Sequence, residues 1–467
     1  MAAPRPRVAI VGAGPAGAFA AANLWRMHPD AEVDLFDRLP TAWGLLRAGV
    51  APDHQEIKRL DDTFERETFK RGCRFFGNVE VGADISHSEL MRHYAAVVYA
   101  TGAQTDKSLG IPGEDLPGSW AATEFVAWYN GHPDYRELEF DLSTPRAVVI
   151  GNGNVAADVT RMLTRSPTDL EGTDVADHAL DVLRRSAIEE VVVLGRRGPA
   201  QAAFTSAELR ELGTIDGVDV RVDPAEAELD PVSVEWLEEE GTFTARKNVE
   251  LAREFAAKPE DPDAARRIVL RFLRSPVEIR GTERVEAIDI RRNEIVRTDD
   301  GALRARPVGD EVETIECGLV LRSVGYQAVP LPDVPFDEES YVLPNDRGRV
   351  LLPDGEPLPG VYAVGWIKRG PTGILGTNKR DAAETVRCLA EDLAAGRLPE
   401  SPNPDRDEVE ALLAERKPDL VTVDGWHAID AHERERGSRE ERPRVKLASR
   451  DELLEAARAA SPAATVR

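Results

Sequence analysis

Two stretches of the chain share one pattern of apolar and small residues. In the first, the apolar run Val8–Val11 leads into a glycine-rich turn and then an alanine-rich segment that reaches Met27. This order is typical of a buried strand, a tight turn and a helix. A second apolar run, Val33–Phe36, predicts the next strand, which ends at Asp37. The N-terminal region is therefore predicted to be a β-α-β unit.

The same pattern returns in the middle of the chain. Ala147–Ile150 predicts a strand, a glycine-rich turn follows, a helix extends through Leu163, and Val191–Leu194 predicts the second strand. Residues 166–185, between that helix and strand, are predicted to be an inserted loop and helix. Two such units predict an α/β fold with two Rossmann-like nucleotide-binding domains, each built on a parallel sheet.

The remaining segments are less regular. Val97–Gly102 and Leu319–Gly325 each predict a buried strand that ends in a small-residue turn, so they are candidate crossover points between domains. Glu226–Asp263 is charged and poorly periodic, which predicts surface strands and loops. The charged tail after Pro399 is expected to be a solvated cover on the first domain, with helices at Glu408–Glu415 and Arg450–Ala459.

The spacing of three glycines gives the first turn a chemical meaning. Gly12 permits the tight turn, Gly14 lets the backbone approach a pyrophosphate, and Gly17 lets the helix pack closely on the strand. The helix N-terminus then faces the anion. Asp37 follows the second strand, where a carboxylate accepts hydrogen bonds from an adenosine ribose and repels a ribose 2′-phosphate. The first loop therefore predicts FAD or NAD binding, not NADP binding.

The second loop has the opposite charge at the corresponding place. It reads Gly151-Asn152-Gly153-Asn154-Val155-Ala156, and its second strand is followed by the pair Arg196-Arg197. Two guanidinium groups bind a 2′-phosphate bidentately, so this loop predicts NADP(H) in preference to NAD(H). The structural alternative is a solvated loop edge, and the position directly after a strand favours cofactor binding.

Composition excludes several classes of protein. A chain of 467 residues with 42% hydrophobic residues can form two or more domains, and its formal charge of -25 argues against nucleic-acid binding. Cys73, Cys317 and Cys388 form neither a C-x-x-C pair nor a metal-ligand series, so we expect no dithiol, no metal and no cluster in this chain. No apolar run approaches the roughly 18 residues of a membrane span, and a cytoplasmic location without membrane insertion is expected.

Two longer motifs indicate a family. WGLLRAGVAPDH at residues 43–54 and GWIKRGPTGILGTNK at residues 365–379, with the order of the two glycine loops, resemble the adrenodoxin reductase-like ferredoxin–NADP⁺ reductases. The resemblance extends from about Arg7 to Lys446. It implies a discontinuous FAD domain made of residues 1–104 and 325–467, the latter carrying the C-terminal cover, with an NADP domain of residues 105–324 inserted between them.

The resemblance also implies individual cofactor contacts. For FAD these are Ala16, Asp37, Leu45, Val79, Trp366, Gly373, Ile374 and Leu375. For NADP(H) they are Asn152, Gly153, Asn154, Val155, Arg196, Arg197, Glu208 and Gly373. Lys107 stands where relatives often have an arginine near the nicotinamide nucleotide's phosphates, and Gln55 stands where they commonly have a proline.

Proton handling points to one polar pair. Flavin reduction and one-electron release require protons, and His54 and Asp158 are the candidates, which the resemblance places near the junction of flavin and nicotinamide. A structural histidine is the alternative interpretation of His54.

The resulting hypothesis is that hydride passes between NADPH and FAD, and single electrons pass between FAD and a ferredoxin-type iron–sulfur protein. The alternatives are an NADPH-dependent reductase of quinones or other small acceptors, and a flavoprotein subunit of a larger electron-transfer complex. An acidic ferredoxin would need a confined basic surface on this acidic chain, with Lys368, Arg369 or Arg380 as candidate contributors. The oligomeric state does not follow from the sequence.

Overall fold

The chain divides into two compact units. The computed structural model describes residues 5–373, 375–400 and 405–459. The first unit runs from the N-terminal region to Thr105, includes Asn130–Arg136, and resumes at Tyr326, whereas the second comprises Asp106–Tyr129 and Glu137–Gly325. Asn130–Arg136 thus clusters with the first unit, although it falls inside the stretch 105–324 expected to form one inserted domain. No helix in the described ranges is long and apolar enough to cross a membrane.

The strands in the described residues are, in chain order, β1 Arg7–Val11, β2 Glu32–Asp37, β3 Arg74–Gly77, β4 Ala96–Tyr99, β5 Thr105–Asp106, β6 Ser119–Ala121, β7 Arg146–Ile150, β8 Glu190–Gly195, β9 Val218–Val222, β10 Arg266–Phe272, β11 Arg274–Arg280, β12 Ala287–Arg297, β13 Leu303–Glu316, β14 Leu319–Arg322, β15 Tyr326–Gln327, β16 Asn345–Asp346, β17 Arg349–Leu351 and β18 Pro357–Ala363.

The α-helices are α1 Pro15–Met27, α2 Leu45–Ala48, α3 Gln55–Lys58, α4 Leu60–Glu67, α5 His87–His93, α6 Ala122–Tyr129, α7 Asn154–Thr164, α8 Pro167–Glu171, α9 Asp177–Leu183, α10 Ser206–Leu212, α11 Pro224–Ala227, α12 Pro231–Glu239, α13 Phe243–Ala257, α14 Trp366–Arg369, α15 Leu375–Ala394, α16 Arg406–Arg416, α17 Val423–Arg439 and α18 Arg450–Arg458. Single 3₁₀ turns lie at Phe69–Arg71, Pro133–Tyr135 and Pro199–Gln201.

The first unit contains a seven-stranded sheet in the order β16-β17-β18-β4-β1-β2-β3. Its strands are parallel from β18 to β3, and β17 is antiparallel to both β16 and β18. All five residues of β1 are buried, as expected for a central parallel strand that is covered on both faces. Because β1 lies between β2 and β4, the first glycine loop leaves the carboxyl edge of the sheet at its centre.

The core of the first unit lies on both faces of this sheet. Val8 and Ile10 of β1 belong to one hydrophobic cluster, whereas Ala9 and Val11 belong to the other, because successive side chains of a strand point to opposite faces. The first cluster also contains Trp426 from the C-terminal tail, which is 2% exposed. The tail therefore contributes to the core of this unit and is more than a solvated cover.

The second unit repeats the arrangement. Its six-stranded sheet has the order β6-β14-β7-β8-β10-β9 with all strands parallel, and β7 lies between β8 and β14 as β1 lies between β2 and β4. A three-stranded antiparallel sheet, β11-β12-β13, completes the unit. The predicted strand, turn, helix and strand are confirmed in both units, within one residue at most boundaries.

The prediction for Glu226–Asp263 was wrong, because this segment forms helices and not surface strands. Asp230 accepts a hydrogen bond from the Ser233 backbone at the start of α12, and Thr242 accepts one from Ala245 at the start of α13. The buried residues of α13 recur at helical spacing, but two of the six are Ala and one is Asn, so the apolar stripe is weak in sequence: Ala245, Asn248, Val249, Leu251, Ala252 and Phe255.

The two helices expected in the tail are confirmed as α16 and α18, but α17 was not predicted. The face that α17 buries consists of Gly425, Trp426, Ile429, Glu433 and Gly437. Because two glycines and a glutamate lie on the buried face, the helical periodicity of hydrophobic residues is too weak to predict this helix from the sequence.

Candidate cofactor sites

The first glycine loop is closed by contacts that only glycine permits. Gly12 has φ +109°, and a Cβ atom there would lie 2.5 Å from the carbonyl oxygen of Ala100. A Cβ atom at Gly17 would lie 2.1 Å from the carbonyl oxygen of Gly12. Gly14 precedes α1, and Pro15 occupies the first helical turn, where its missing N–H is harmless. The backbone of this loop is thus open to an anion at the N-terminus of α1, as predicted for a pyrophosphate.

Asp37 closes the loop from the end of β2. Its carboxylate accepts hydrogen bonds from the backbone N–H groups of Ala13 and Leu39, both at 2.9 Å. Burial raises the pKa of the Asp37 carboxyl, and the two N–H donors oppose this shift. Val79 is buried beside it, and its N–H donates to the Asp37 carbonyl at 2.9 Å. Asp37 therefore organises the loop as well as offering a carboxylate at its end.

The segment that begins the first long motif packs directly on this loop. The N–H of Trp43 donates to the Ala13 carbonyl at 2.9 Å, and a Cβ atom at Gly44 would lie 3.0 Å from the Cα of Gly14. Leu45 follows as the first residue of α2 and is 38% exposed. The motif therefore presents an apolar side chain next to the glycine loop.

The second long motif reaches the same loop from the other end of the chain. A Cβ atom at Gly365 would lie 2.7 Å from the Cβ of Ala16, and the Gly365 N–H donates to Asp381 at 2.5 Å. The Trp366 ring packs on Tyr326 with centroids 5.0 Å apart, and its Nε1 is buried with no partner among the described residues. An indole N–H without an acceptor in the protein can be satisfied by a water molecule or by a bound group.

The end of this motif is a second tight turn. Gly373 has φ +82°, and a Cβ atom there would lie 2.6 Å from the Thr377 hydroxyl oxygen. Leu375 is the first residue of α15. Ile374, also expected to contact FAD, lies outside the described residues.

The second glycine loop reproduces the first. Gly151 has φ +129°, and a Cβ atom there would lie 2.1 Å from the Ser323 carbonyl oxygen. Gly153 precedes α7, Asn154 accepts a hydrogen bond from the Thr205 N–H at 2.8 Å, and Val155 is half-buried in the first turn. The side-chain Nδ2 of Asn152 is buried without a partner in the part of the chain that the structure describes. This loop is likewise shaped for a nucleotide phosphate.

The arginine pair after β8 is available for an anion. Arg196 is exposed and Arg197 is half-buried, and no carboxylate of the described residues pairs with either guanidinium. Burial, together with the neighbouring Arg196, lowers the pKa of the Arg197 guanidinium. Two adjacent cations without acidic partners have the chemistry that a phosphate dianion requires.

A buried arginine joins two of the predicted residues of the second unit. Arg161 is 0% exposed and forms ion pairs with Asp158 at 2.5 Å and with Glu208 at 2.7 Å. The two carboxylates come from α7 and from α10, so one guanidinium fixes both helices. Lys107 is exposed, and its backbone N–H donates to the Gly325 carbonyl at 3.0 Å.

His54 lies in the first unit at the start of α3. The ring is half-buried, and Gln55 occupies the first helical position, which a proline also tolerates. The Gln55 amide donates to the Pro52 carbonyl at 2.8 Å and closes the turn before the helix. The replacement of proline by glutamine thus keeps a defined turn beside His54.

Of the three cations considered for docking, only Arg380 is exposed. Lys368 is 8% exposed and forms ion pairs with Asp381 at 2.9 Å and Glu384 at 2.7 Å. Arg369 is half-buried, and its guanidinium donates to Asp381 and to Asn378. The Lys368 side chain is therefore buried with acidic partners and is not part of a docking surface.

Three residues near the sites were missed by sequence reasoning: Arg161, Asp381 and Asn293, whose amide donates to the Arg196 carbonyl at 2.8 Å. The partners of Asp381 and Asn293 are far along the chain, so no local pattern marks them. Of the three, only Arg161 could have been noticed in the sequence, because it interrupts the apolar side of α7. A charged residue in such a place is buried only when it is paired, so it predicts acidic partners nearby.

Comparisons with known proteins agree with this geometry. The family model described as pyridine nucleotide-disulphide oxidoreductase matches residues 6–374. An NADPH-ferredoxin reductase FprA of Mycobacterium leprae is 50% identical over 453 residues, which cover 96% of this chain and 97% of that protein. A mitochondrial NADPH:adrenodoxin oxidoreductase of Arabidopsis thaliana is 42% identical, with coverage of 96% and 95%.

A solved structure shows the same fold. Mycobacterium tuberculosis FprA in complex with NADPH is 48% identical, with a TM-score of 0.91 and coverage of 97% of this chain and 100% of that one. The glycine loops, the two long motifs and these similarities agree. The chain belongs to the pyridine nucleotide-disulphide oxidoreductase family and, within it, to the adrenodoxin reductase-like ferredoxin–NADP⁺ reductases.

Proposed function

We infer that the chain is a flavoprotein oxidoreductase that transfers hydride between NADPH and FAD and single electrons between FAD and a ferredoxin-type iron–sulfur protein. The observation that carries this inference is the contrast between the two nucleotide loops. In the first unit, the strand after the loop ends at the Asp37 carboxylate. In the second unit, the strand after the loop is followed by the arginine pair 196–197, which lacks an acidic partner in the described residues. A carboxylate excludes a 2′-phosphate and an arginine pair selects it.

We propose that the first compact unit is the FAD domain. Gly12, Gly14 and Gly17 leave the backbone of the loop open, and Asp37 offers a carboxylate to a ribose hydroxyl. Further support comes from the exposed Leu45, from the unpartnered Trp366 Nε1, and from Ala16, Val79, Gly373 and Leu375 around the same loop and motifs.

We propose that the second unit is the NADP(H) domain. Gly151 and Gly153 form its phosphate loop, Asn152 has an amide donor without a partner among the described residues, and Arg196 and Arg197 provide the cations for the 2′-phosphate. Asn154, Val155, Glu208 and Lys107 complete the proposed contacts. Glu208 is held in place by Arg161.

The experiment is to purify the chain, record its visible spectrum, and compare NADPH with NADH as reductants of cytochrome c with and without added ferredoxin. We expect flavin absorbance, a preference for NADPH, and turnover that depends on ferredoxin. Absence of flavin would refute the assignment. If the turnover rate does not depend on ferredoxin and only quinones or similar acceptors are reduced, the chain is a small-acceptor reductase instead.

Cofactor selectivity tests the arginine pair separately. Arg196→Ala combined with Arg197→Ala should lower kcat/KM for NADPH by about tenfold or more, because two charge-assisted contacts are lost, and should leave NADH use nearly unchanged. Arg184→Ala combined with Arg185→Ala is the matched control, because it removes an exposed arginine pair from the same unit. Equal losses with both nucleotides would contradict the assigned role.

We propose that His54 and Asp158 handle protons. Both keep a defined position, His54 at the start of α3 and Asp158 through its ion pair with Arg161. His54→Gln and Asp158→Asn should slow flavin reduction by NADPH in stopped-flow measurements and leave the dissociation constant of NADPH unchanged. Normal rates in both variants would exclude this role.

We propose that Arg380 contributes to docking of an acidic ferredoxin. It is exposed on α15, on a chain whose formal charge is -25, so attraction must be local. Arg380→Glu should raise KM for ferredoxin, and the wild-type rate should fall with increasing salt, whereas turnover with a neutral quinone should respond to neither change. A ferredoxin rate independent of salt would refute docking by local charge.

We propose a cytoplasmic location. All three cysteines are free and buried, which suits a reducing compartment. Detection of the protein in the membrane or secreted fraction after cell fractionation would refute it.

A further inference from the structure

The backbone that carries the arginine pair accepts two hydrogen bonds from residues outside β8. The carbonyl oxygen of Arg196 accepts a hydrogen bond from the Asn293 side-chain Nδ2 at 2.8 Å. The carbonyl oxygen of Arg197 accepts one from the Leu273 N–H at 3.1 Å. Asn293 lies in β12 of the antiparallel sheet, and Leu273 is the single residue between β10 of the parallel sheet and β11 of the antiparallel sheet.

Asn293 lies at an irregularity in the pairing of β12 with β13. Arg291 pairs with Val312 and Asn293 pairs with Pro307, so the extra residues of this irregularity belong to β13, opposite β12. Asn293 is 2% exposed, and the two hydrogens of its Nδ2 serve the Arg196 carbonyl and the Ser275 hydroxyl oxygen, the latter at 2.7 Å. Both N–H hydrogens of the Asn293 side chain are therefore hydrogen-bonded, and one of them binds the backbone of the arginine pair.

The same residue supports the second contact. The Asn293 backbone N–H donates to the Leu273 carbonyl at 2.8 Å. Leu273 has φ +56°, a left-handed conformation that is rare and strained for a leucine. Such a conformation persists when the surrounding hydrogen bonds fix it, and both peptide groups of Leu273 are bound, one to Arg197 and one to Asn293. Asn293 thus contacts Arg196 through its side chain and Leu273, the partner of Arg197, through its backbone N–H, so a side-chain substitution removes only the first of these contacts.

We propose that Asn293 is a positioning residue for nucleotide selectivity. It holds the peptide groups of Arg196 and Arg197 in one conformation, so that the two guanidinium groups extend from a fixed backbone toward a 2′-phosphate. This inference rests on the proposed function of the arginine pair. A pair whose backbone is free must be ordered when the phosphate binds, and that entropy opposes NADPH binding but not NADH binding.

The test is Asn293→Leu, a side chain of similar shape without a donor, with kcat/KM measured for NADPH and for NADH. Loss of the hydrogen bond should lower the NADPH/NADH ratio about fivefold, mainly through KM for NADPH. If the leucine variant does not yield folded enzyme, Asn293→Ala removes the same donor without adding bulk. A purely structural role would lower stability and affect both nucleotides equally.

Asn248→Leu is the matched control. Asn248 lies in the same unit, is 0% exposed, and donates through Nδ2 to the Phe204 carbonyl at 3.0 Å. Like Asn293, it has an Oδ1 without a partner among the described residues. Its variant loses a buried hydrogen bond from an asparagine Nδ2 to a backbone carbonyl, as the Asn293 variant does, so it should lower thermal stability and leave the NADPH/NADH ratio unchanged.

The outcomes separate this inference from the function on which it rests. If the arginine double variant lowers the ratio and the Asn293 variants do not, the positioning role is refuted and the arginine assignment stands. If the Asn248 variant lowers the ratio as much as the Asn293 variants do, the effect is general and the positioning role is also refuted. If the arginine double variant leaves the ratio unchanged, the assignment of the pair is wrong and the inference falls with it.

Discussion

The first glycine of each nucleotide loop lies under a carbonyl group of a neighbouring strand segment. In one unit the carbonyl belongs to Ala100, directly after β4, and in the other to Ser323, directly after β14. Both glycines have positive φ, so two independent constraints exclude any larger residue. The third glycine of the first loop, Gly17, is constrained by space alone, which allows the steric requirement to be tested without a change in backbone preference.

Gly17→Ala should abolish FAD retention, because the added Cβ atom would lie 2.1 Å from the Gly12 carbonyl oxygen and the loop must move. We expect a loss of about 1–3 kcal/mol in unfolding free energy or more. The measurements are flavin absorbance of the purified protein and its urea unfolding curve. Gly172→Ala is the control, since no atom lies within 4 Å of its added Cβ. Full flavin content in Gly17→Ala would show that the close packing is dispensable.

Single residues were predictable where a local pattern specifies their place. Asp37, Arg196 and Arg197 directly follow apolar runs, so their positions at the carboxyl edges of sheets follow from the sequence, and their cofactor contacts stay predictions. Asn293 and Asp381 gain their importance from partners about 97 and 16 residues away, Arg196 and Gly365, and no periodicity encodes such contacts.

Among the elements, α17 joins the tail to the first long motif through a buried ion cluster. The Glu433 side chain is 0% exposed and accepts two hydrogen bonds from the Arg47 guanidinium, at 2.5 and 2.6 Å. It also pairs with Arg444 at 3.3 Å and accepts the Leu447 N–H at 2.8 Å. Arg47 belongs to α2, which begins at Leu45, so the tail fixes the segment proposed to contact FAD.

Glu433→Gln should destabilise the enzyme by about 3–5 kcal/mol, because the Arg47 guanidinium would remain buried without its carboxylate partner, whereas Arg444 keeps Asp61 and Asp430. It should also speed FAD release, which the rise in free-flavin fluorescence after dilution measures. Glu435→Gln is the control, since Glu435 lies on the same helix with its side chain 65% exposed. A variant that keeps FAD as tightly as the wild type would show that α17 does not support the flavin segment.

A second link between elements carries a pH dependence. Glu89 accepts the Ser86 N–H at the start of α5 and pairs with Arg416 of α16 at 2.8 Å. The hydrogen bond from Arg416, together with that from Ser86, lowers the pKa of Glu89 from 4.5 to about 2. A lowered pKa stabilises the fold above the unfolded-state value, and this contribution disappears as pH falls from about 4.5 to about 2.

Glu89→Gln should therefore lower the unfolding free energy by about 1 kcal/mol at pH 7. The difference from the wild type should shrink when urea unfolding is repeated at about pH 3.5, because the wild-type carboxylate is then partly neutralised in the unfolded state. Glu415→Gln, which removes an exposed carboxylate next to Arg416, should show no such trend. A difference that is constant with pH would contradict the assigned ion pair.

For the whole molecule, the state of the three cysteines bears on the kind of redox chemistry. All three are free and buried, and burial raises the pKa of each thiol, that of Cys317 to about 12. Since the thiolate is the reactive form, none of them is suited to exchange chemistry. The description of the family model includes the word disulphide, but the sequence of this chain has no C-x-x-C pair.

Treatment of the native enzyme with iodoacetamide should therefore leave ferredoxin-dependent turnover with NADPH unchanged. The reagent should label the cysteines only after unfolding in urea, which mass spectrometry of both samples would show. Rapid inactivation of the native enzyme together with labelling of one cysteine would contradict a mechanism without thiols.

The overall architecture followed from the duplicated β-α-β pattern, because a strand, a glycine turn and a helix are encoded locally. Besides α17, two features of the architecture did not follow from the sequence. Asn130–Arg136 belongs to the first unit through contacts between residues far apart in the sequence. For example, the Lys446 Nζ donates to the Asn130 Oδ1 at 3.0 Å. The helices α12 and α13 were missed because a weakly apolar buried face and many charges conceal the helical period.

The divided sheet of the first unit has a consequence for biosynthesis. Its strands β1 to β4 are synthesised first, but β18, which pairs with β4, is completed only at Ala363, and the buried Trp426 follows later. All strands of the second unit's sheets precede Gly325, so the ribosome completes them before β18. The second unit should thus fold on the ribosome while the first remains an unfinished half-sheet. Loading of the flavin should then be a late event that awaits the C-terminal segment, and nascent chains arrested before β18 should bind nicotinamide nucleotide but no flavin.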